Sequence, residues 1–161
     1  MKNFTFKKIS SDDIPLIHSW LTKPHVQEFW SENTVNDLEA FRKKMEGKIK
    51  EKGVNPFLVV LQGKPIGYIQ SYSIDSKTAG IDQFIGVEEF VNKGLGSMFV
   101  KEFTDDLLKS KKFTRIVTDP SVSNFRAVKA LEKAGFKRLS ASKNFENDEV
   151  VLMEKKTKKA S

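Results

Sequence analysis

Two glycines flank a single leucine just before an apolar, helix-forming run, in the stretch NKGLGSMFV at residues 92–100. Glycine there costs about 0.5–1 kcal/mol against alanine unless the backbone needs a positive φ or a close approach. Because a helix N-terminus offers unpaired N–H groups and a favourable dipole, Gly94 and Gly96 indicate a turn that binds an anion such as a phosphate. The spacing fits neither the dinucleotide-binding motif nor the P-loop. From spacing alone, tight packing of the loop against the helix is an equally good interpretation.

Two aspartates occupy positions at which the presence of a carboxylate needs an explanation. Asp82 lies within a predicted strand, where an acid is disfavoured unless it faces water or a partner. Asp119 lies at the carboxyl end of another predicted strand, where α/β sheets place their ligands. Both are therefore candidate catalytic residues. The structural alternatives are an ion pair with a lysine for Asp82 and a turn-forming Asp-Pro for Asp119.

The elements that must position these residues follow the order βααβββαβαββ. Capping signals at Ser10 and Thr34 predict helices that begin nearby, and a Gly-containing turn predicts a hairpin of two β-rich runs. Leu95, Phe99, Phe103 and Leu107 recur every four residues and predict one buried helical face after the glycines. The other predicted elements are strands at 3–10, 79–87, 113–120 and 149–156 and helices at about 36–51 and 123–136. With no linker or repeat, this order predicts one α/β domain over residues 1–154 and a basic, frayed tail over 155–161.

Composition limits the classes of protein to which the chain can belong. Its 161 residues are 39% apolar and 30% charged, as in one globular domain. The absence of cysteine excludes disulfides and cysteine nucleophiles, and two isolated histidines make a metal site unexpected. The net charge of +7 comes from lysines scattered among acids, so no nucleic-acid partner is expected. Without a run of eighteen apolar residues or a signal-peptide core, we expect a cytoplasmic protein with no membrane contact.

Three stretches in chain order carry a resemblance to a known family: GIDQFIG, NKGLGSMFV and RIVTDPSVSNFRAVKALEKAGFKR. Together they resemble the acetyl-CoA-binding half of the GNAT N-acetyltransferase superfamily. HSWLTKPHVQEFW and GKPIGYIQSY extend the likeness over most of residues 10–138, with the aminoglycoside 6′-N-acetyltransferases as the most similar group. The resemblance implies an α/β (α+β) GNAT fold, with a mixed central sheet, helices on both faces and a splayed strand pair that holds acetyl-CoA. It also implies an acyltransferase that acts on a small-molecule amine, as a monomer or homodimer.

The resemblance further implies which residues bind the co-substrate. Backbone N–H groups of the loop and helix start would hold the pyrophosphate, and backbone groups of the strand at 79–87 would pair with the pantetheine arm. Asn124 matches a cofactor-contacting asparagine of the family, although a plain helix cap explains it equally well. The residues implied for the pyrophosphate are Asn92, Lys93, Gly94, Leu95, Gly96 and Ser97, and those for pantetheine are Gln83, Phe84 and Ile85.

On the acceptor side, the resemblance implies that Asp82 and Asp119 face the amine. An ammonium must be attracted, oriented and deprotonated before its nitrogen attacks, and a carboxylate can contribute to each step. His25 and Trp30 match the segment that lines the acceptor pocket in these enzymes. Packing in the core is the alternative interpretation of Trp30.

The chain departs from the family pattern at three places. Val91 stands where an arginine or glutamine is common, and Leu131 stands where the related 6′-acetyltransferases carry a tyrosine that protonates the departing thiolate. The loop DSKTA at 75–79 is short, and relatives that modify drugs have a longer acidic and aromatic loop there. Two other functions therefore stay open: a siderophore-type hydroxylamine acyltransferase, and a catalytically weakened acyl-CoA-binding module.

Overall fold

The computed structural model describes residues 2–143 and 149–158. Their strands form a seven-stranded mixed sheet in the order β1-β2-β3-β4-β5-β7-β6. The predicted mixed α/β fold is confirmed. The strands are β1 Phe4–Lys8, β2 Val54–Leu61, β3 Lys64–Ser73, β4 Thr78–Ile85, β5 Arg115–Thr118, β6 Lys137–Lys143 and β7 Glu149–Lys156. The helices are α1 Ile14–Leu21, α2 Pro24–Gln27, α3 Leu38–Lys50, α4 Leu95–Lys109 and α5 Phe125–Lys133, with 3-10 turns at Ser11–Asp13 and Glu88–Phe90.

The chain divides into two compact units that share β4. Within the described residues, the first unit comprises 2–72 and 82–92, and the second comprises 73–81, 93–143 and 149–158. The division falls between Ile81 and Asp82, so the two halves of β4 belong to different units.

In the first unit, β1, β2 and β3 pair in antiparallel fashion. β2 and β3 form the predicted hairpin, whose turn residues Gln62 and Gly63 have φ of 49° and 80°. Two consecutive positive φ angles match the right-handed twist of the strands that such a turn joins. The hairpin therefore fixes the register that brings alternate β3 residues onto one face.

Helices α1 and α3 cover this unit. α1 buries Ile14, Ile17 and Leu21, as its spacing predicts. α3 begins at Leu38, because the side chain of Asp37, and not that of Thr34, accepts the hydrogen bond from the Ala40 N–H at 3.0 Å. The buried residues of α3 are Phe41 and Met45. The predicted helix is confirmed, with its start moved by two residues.

The second unit contains the first half of β4, paired in parallel with β5. The pairing joins Thr78–Gly80 to Arg115–Val117 and stops there. β5 pairs with β7, which pairs with β6. β6 is an edge strand whose residues 137–141 are exposed. Its alternation of apolar and polar residues rests on Leu139 and Ala141 alone, which is too short a pattern to indicate a half-buried strand. That is why its position was not readable from the sequence.

The predicted boundary at residue 154 falls inside β7, which continues to Lys156. Lys155 is 9% exposed, and its Nζ lies 2.8 Å from both Thr104 Oγ1 and Asp105 Oδ1 of α4. These contacts compensate the buried ammonium and hold the end of the strand in place. Lys155 and Lys156 therefore belong to the predicted strand at 149–156, and residues 159–161 of the predicted tail lie outside the described part.

In the first unit, Trp20 packs directly on the backbone of Gly86. A Cβ added to Gly86 would lie 2.1 Å from Cδ2 of the indole, which is itself only 4% exposed. The Gly86 N–H donates to the Ile66 carbonyl at 2.8 Å, so the backbone cannot easily retreat. Glycine is therefore required where β4 ends.

Replacing Gly86 with alanine should destabilise the protein by overpacking, at a cost of about 1–3 kcal/mol in the free energy of unfolding. Denaturant unfolding measures this loss. Gly47→Ala is the matched control, because nothing lies within 4 Å of its Cβ and alanine is favoured inside a helix. An equal loss of stability in the two variants would contradict the role assigned to Gly86.

Candidate active site

Asp82 lies on β4 at the end of a chain of side-chain hydrogen bonds. Gln70 Nε2 donates to Asp82 Oδ2 at 2.9 Å, and the Tyr68 hydroxyl donates to Gln70 Oε1 at 2.6 Å. Tyr68 and Gln70 are two residues apart on β3 and so lie on the same face of that strand. Their 1% and 8% exposure shields both hydrogen bonds from water. One carboxylate oxygen of Asp82 is thus held in place by a buried pair of neighbours.

The protonation state of Tyr68 determines the direction of both hydrogen bonds that link Tyr68, Gln70 and Asp82. Burial and the charges of Asp82 and Glu32 raise the pKa of Tyr68 well above its usual range, so Tyr68 stays a phenol. A phenol that donates to Gln70 Oε1 leaves the amide nitrogen of Gln70 facing Asp82. Burial raises the pKa of the Asp82 carboxyl above its usual value, although the Gln70 hydrogen bond and the charge of Lys48 act in the opposite direction. Asp82 is therefore a stronger base than an ordinary aspartate.

Aromatic rings surround this part of the first unit. Tyr68 and Phe84 are stacked with centroids 5.4 Å apart, and Trp30 meets Phe84 edge-on at 5.0 Å and Tyr68 edge-on at 5.9 Å. Trp30 is partly buried and packs against the core, as the core interpretation predicts, and its place in an acceptor pocket stays a prediction. These rings exclude water from the neighbourhood of Asp82 and strengthen its electrostatic interactions.

Two lysines of α3 and one glutamate accompany Asp82. Glu32 accepts from Lys44 Nζ at 2.9 and 3.1 Å, and from the Thr34 hydroxyl at 2.6 Å. Lys48, one turn further along α3, is partly buried, and burial and the charge of Lys44 lower its pKa. Lys48 and Glu32 line a small cavity with space of about 10 Å³, about what one water needs. The other lining residues are Ile17, Leu21, Trp30, Phe41, Met45, Tyr68 and Phe84.

His25 contacts the backbone of β4. Its Nε2 lies 3.0 Å from the Ile85 carbonyl, which can only accept, so Nε2 carries the hydrogen. Its Nδ1 is buried and has no partner, and Oε1 of Gln83 is likewise buried and unpartnered. A buried polar atom without a partner costs free energy, so both atoms mark positions where a polar ligand would be favoured.

The glycine stretch leads into α4 through two residues with positive φ. Asn92 and Gly94 have φ of 64° and 77°, and Gly94 is the N-cap of the helix. No side chain caps the helix, since Ser97 Oγ donates to the Gly94 carbonyl at 3.0 Å and takes no N–H. Lys93 and Gly94 are exposed. A positive φ explains Gly94, and the N–H groups at the helix start lack side-chain partners.

The remaining predicted site residues lie in the second unit. Asp119 is exposed and directly follows β5. Asn124 is the N-cap of α5, and its Oδ1 accepts from the Ala127 N–H at 3.1 Å, so the helix-cap interpretation describes what its side chain does. Leu131 is 1% exposed in the core, as its place on the apolar face of α5 indicates.

Sequence reasoning missed four residues of the Asp82 neighbourhood: Glu32, Lys48, Tyr68 and Gln70. Only Gln70 was recognisable from the sequence, because an amide within the β-rich run YIQSY needs a hydrogen-bond partner when that run is buried. Lys48 and Glu32 are ordinary surface residue types, and only tertiary packing brings them to the same cavity.

Among residues 2–143 and 149–158, no group of histidine, cysteine or acidic side chains is placed to hold a metal ion. The same residues contain no helix with the length and apolar character needed to span a bilayer.

Comparison with known proteins gives a consistent picture. Residues 10–143 match the family model described as an acetyltransferase (GNAT) domain. The aminoglycoside N(6′)-acetyltransferases type 1 of Klebsiella pneumoniae and Serratia marcescens are each 31% identical over 150 residues, which is 83% of this chain and 74% of theirs. A solved structure of AAC(6′)-Ib with ribostamycin and coenzyme A has a TM-score of 0.88 at 29% identity, covering 97% of this chain and 94% of that one. Another, with paromomycin and acetyl-CoA, has a TM-score of 0.85 at the same identity and coverage.

Asp82→Asn should stabilise the protein at pH 7. Burial raises the pKa of the Asp82 carboxyl in the folded state above 3.8. Protonation of this carboxyl therefore stabilises the folded state, and that stabilisation is lost as the pH rises through the folded-state pKa. Asparagine stays neutral and keeps an acceptor for Gln70. Urea unfolding should therefore give a higher free energy for Asp82→Asn at pH 7, with the difference narrowing as the pH falls toward 3.8. Exposed Asp12→Asn is the control, and a difference independent of pH would contradict the assignment.

Leu131→Tyr should lower the melting temperature. A tyrosine would overpack a 1%-exposed site and bury a hydroxyl, at a cost of about 1–3 kcal/mol for overpacking alone. In a chain of this size that corresponds to a loss of several degrees in thermal unfolding, about 2–4 °C per kcal/mol. Conservative Leu131→Met should cost less. A melting temperature unchanged by tyrosine would show that the site has room for a phenol.

Proposed function

We propose that this chain, which belongs to the GNAT acetyltransferase family, transfers the acetyl group of acetyl-CoA to an amine of a small molecule. The family assignment supports acetyl transfer, and relatives solved with coenzyme A, acetyl-CoA and aminoglycosides support the two substrate classes. The observation that carries the proposal for this chain is the partly buried Asp82 carboxylate, fixed by Gln70 and raised in pKa by burial.

The reaction is a direct transfer between the two substrates. The amine nitrogen attacks the carbonyl carbon of the thioester, the C–N bond forms, and the nitrogen loses a proton. The C–S bond then breaks, and the coenzyme A thiolate leaves and takes up a proton. A cysteine-bound acetyl intermediate is ruled out by composition, because the chain contains no cysteine.

Asp82 would act on the amine before attack. An alkyl ammonium has a pKa near 10 and carries no lone pair, so it must lose a proton before it becomes a nucleophile. A carboxylate in a water-poor site attracts and orients the ammonium, and the raised pKa of Asp82 makes proton removal, directly or through a water, easier than for an ordinary aspartate. We assign Asp119 a supporting role in orienting the acceptor, and His25 and Trp30 to the wall of its site.

The co-substrate would bind through backbone groups. The uncapped N-terminus of α4, with Asn92, Lys93, Gly94, Leu95, Gly96 and Ser97, offers N–H groups and a positive dipole end to the pyrophosphate. The residues Gln83, Phe84 and Ile85 would pair with the pantetheine arm, and the unpartnered Gln83 Oε1 supports a polar ligand there. Asn124 would contribute from the start of α5.

The side chain at position 131 would not protonate the departing thiolate. Leucine donates no proton, and Tyr68 is a phenol whose hydrogen is already given to Gln70. A thiolate is a fair leaving group, since its thiol has a pKa of about 8.5, so we infer that solvent supplies this proton. Leu131 also favours a second candidate, an acyl-CoA-binding protein with little turnover.

Release of free coenzyme A, followed with a thiol reagent, separates these two candidates. The assay is unusually clean because the protein itself has no thiol. Sustained release that depends on an added amine supports the transferase. Tight coenzyme A binding with no amine-dependent release supports the binding protein.

Asp82→Asn should lower kcat by about 10²–10⁴, the usual contribution of a positioned acid or base. The Kd for coenzyme A, measured by calorimetry, should stay within about twofold, because the Asp82 carboxyl is not among the cofactor-binding groups named above. Asp12→Asn, on an exposed turn, removes the same charge elsewhere and should leave both values unchanged. Wild-type turnover in Asp82→Asn would remove Asp82 from the mechanism.

A further inference from the structure

Glu32, the carboxylate that lines the cavity of the first unit, is already paired with a lysine of the protein. Glu32, whose side chain is 7% exposed, accepts two hydrogen bonds from Lys44 and two from Thr34. All the partners of its buried oxygens are thus supplied internally. A carboxylate so occupied has little capacity to receive an ammonium of a ligand.

Lys48 provides the second compensating charge. It follows Lys44 by one helical turn on α3, so the two side chains leave the same face of the helix. Lys48 lines the cavity together with Glu32, Trp30 and Tyr68, and Tyr68 leads through Gln70 to Asp82. Its ammonium interacts favourably with both Glu32 and Asp82.

The formal charges of four side chains of the first unit therefore cancel before any acceptor arrives. Asp119, proposed above to orient the acceptor, belongs to the second unit and is outside this count. Asp82 and Glu32 contribute two negative charges, and Lys44 and Lys48 contribute two positive charges. One ammonium at Asp82 gains a direct partner. A second ammonium on the same molecule would find Glu32 occupied and would approach the charge of Lys48 in a region of low dielectric, where repulsion is strong.

We propose that Lys48 is a specificity-determining residue that makes the enzyme favour amines with a single positive charge over polycationic amines. The inference rests on the proposed function, since it concerns the acceptor of that reaction. It assigns a substrate class to the site: primary monoamines, whose one ammonium is the group that reacts. The net charge of +7 acts in the same direction, because it weakens the long-range attraction of the whole protein for a polycation.

The test compares three acceptors, 2-phenylethylamine, spermidine and kanamycin, in wild type and in Lys48→Met. The measured quantity is the ratio of kcat/KM for each polycation to that for 2-phenylethylamine, from thiol release. Wild type should give ratios below one. Lys48→Met should raise them about tenfold or more, because the substitution removes a partly buried positive charge from the cavity wall. Lys48→Arg, which keeps the charge, should behave as wild type.

Lys43→Met is the matched control, since Lys43 lies on the same helix, is exposed, and its loss changes the net charge equally. It should leave the ratios unchanged. Urea unfolding shows whether Lys48→Met folds, and Lys48→Gln replaces it where stability is lost. Unchanged ratios in both neutral variants, an equal rise in Lys43→Met, or a wild-type preference for spermidine or kanamycin would overturn the inference.

A second measurement separates this inference from the reaction itself. The Kd of each amine, obtained from quenching of tryptophan fluorescence, needs no turnover. Absence of thiol release with every amine would count against the proposed function. The Kd ratios would then still decide the role of Lys48: a rise in Lys48→Met alone supports it, and equal ratios in wild type and variant contradict it.

Discussion

The burial of one carboxylate on a strand shared by both compact units is the interaction on which the rest of this site depends. Moving an ionised aspartate into an apolar region is costly unless hydrogen bonds and opposite charge compensate it. Here the compensation comes from a neutral amide, Gln70, and from the more distant charge of Lys48. Neither neutralises Asp82 fully, and its pKa stays raised. A carboxylate held in this way keeps the tendency to take up a proton that a strong ion pair would remove.

The neighbours of Asp82 maintain this incomplete compensation of its charge. Tyr68 donates to Gln70 and so prevents the amide from rotating, and the stacked and edge-on rings of Tyr68, Phe84 and Trp30 exclude water. Lys44 engages Glu32, so that the second carboxylate cannot compete for the same cations as Asp82. Each neighbour would be unremarkable alone. Together they produce one ionisable group whose environment differs from that of the other acids nearby.

Most of the fold could be predicted from the sequence, because local patterns of residues determine it. The spacing of apolar residues, the hairpin turn and the caps located the helices and all strands but one. Residue type and position singled out Asp82 and the glycine stretch, and the family resemblance added their expected roles. Edge strand β6 was not located, since two apolar residues, Leu139 and Ala141, give too short a periodic signal. Lys48, Glu32 and Tyr68 were not recognised either, because they become neighbours only when α3 packs against β3. Residue type alone did not distinguish Lys48 from the exposed lysines of the same helix.

In the second half of β4, amino-acid substitution changes the side chains but leaves the backbone groups the same. Its side chains, Asp82 and Phe84, face a wall built from β3, α3 and Trp30, whereas its backbone groups are the same whatever residues the strand carries. A ligand bound through the backbone is insulated from substitution, and a ligand bound through side chains is not. Under the function proposed above, descendants of this sequence can exchange one amine for another by a few substitutions while inheriting the acetyl donor intact. That separation gives the scaffold its capacity to diversify.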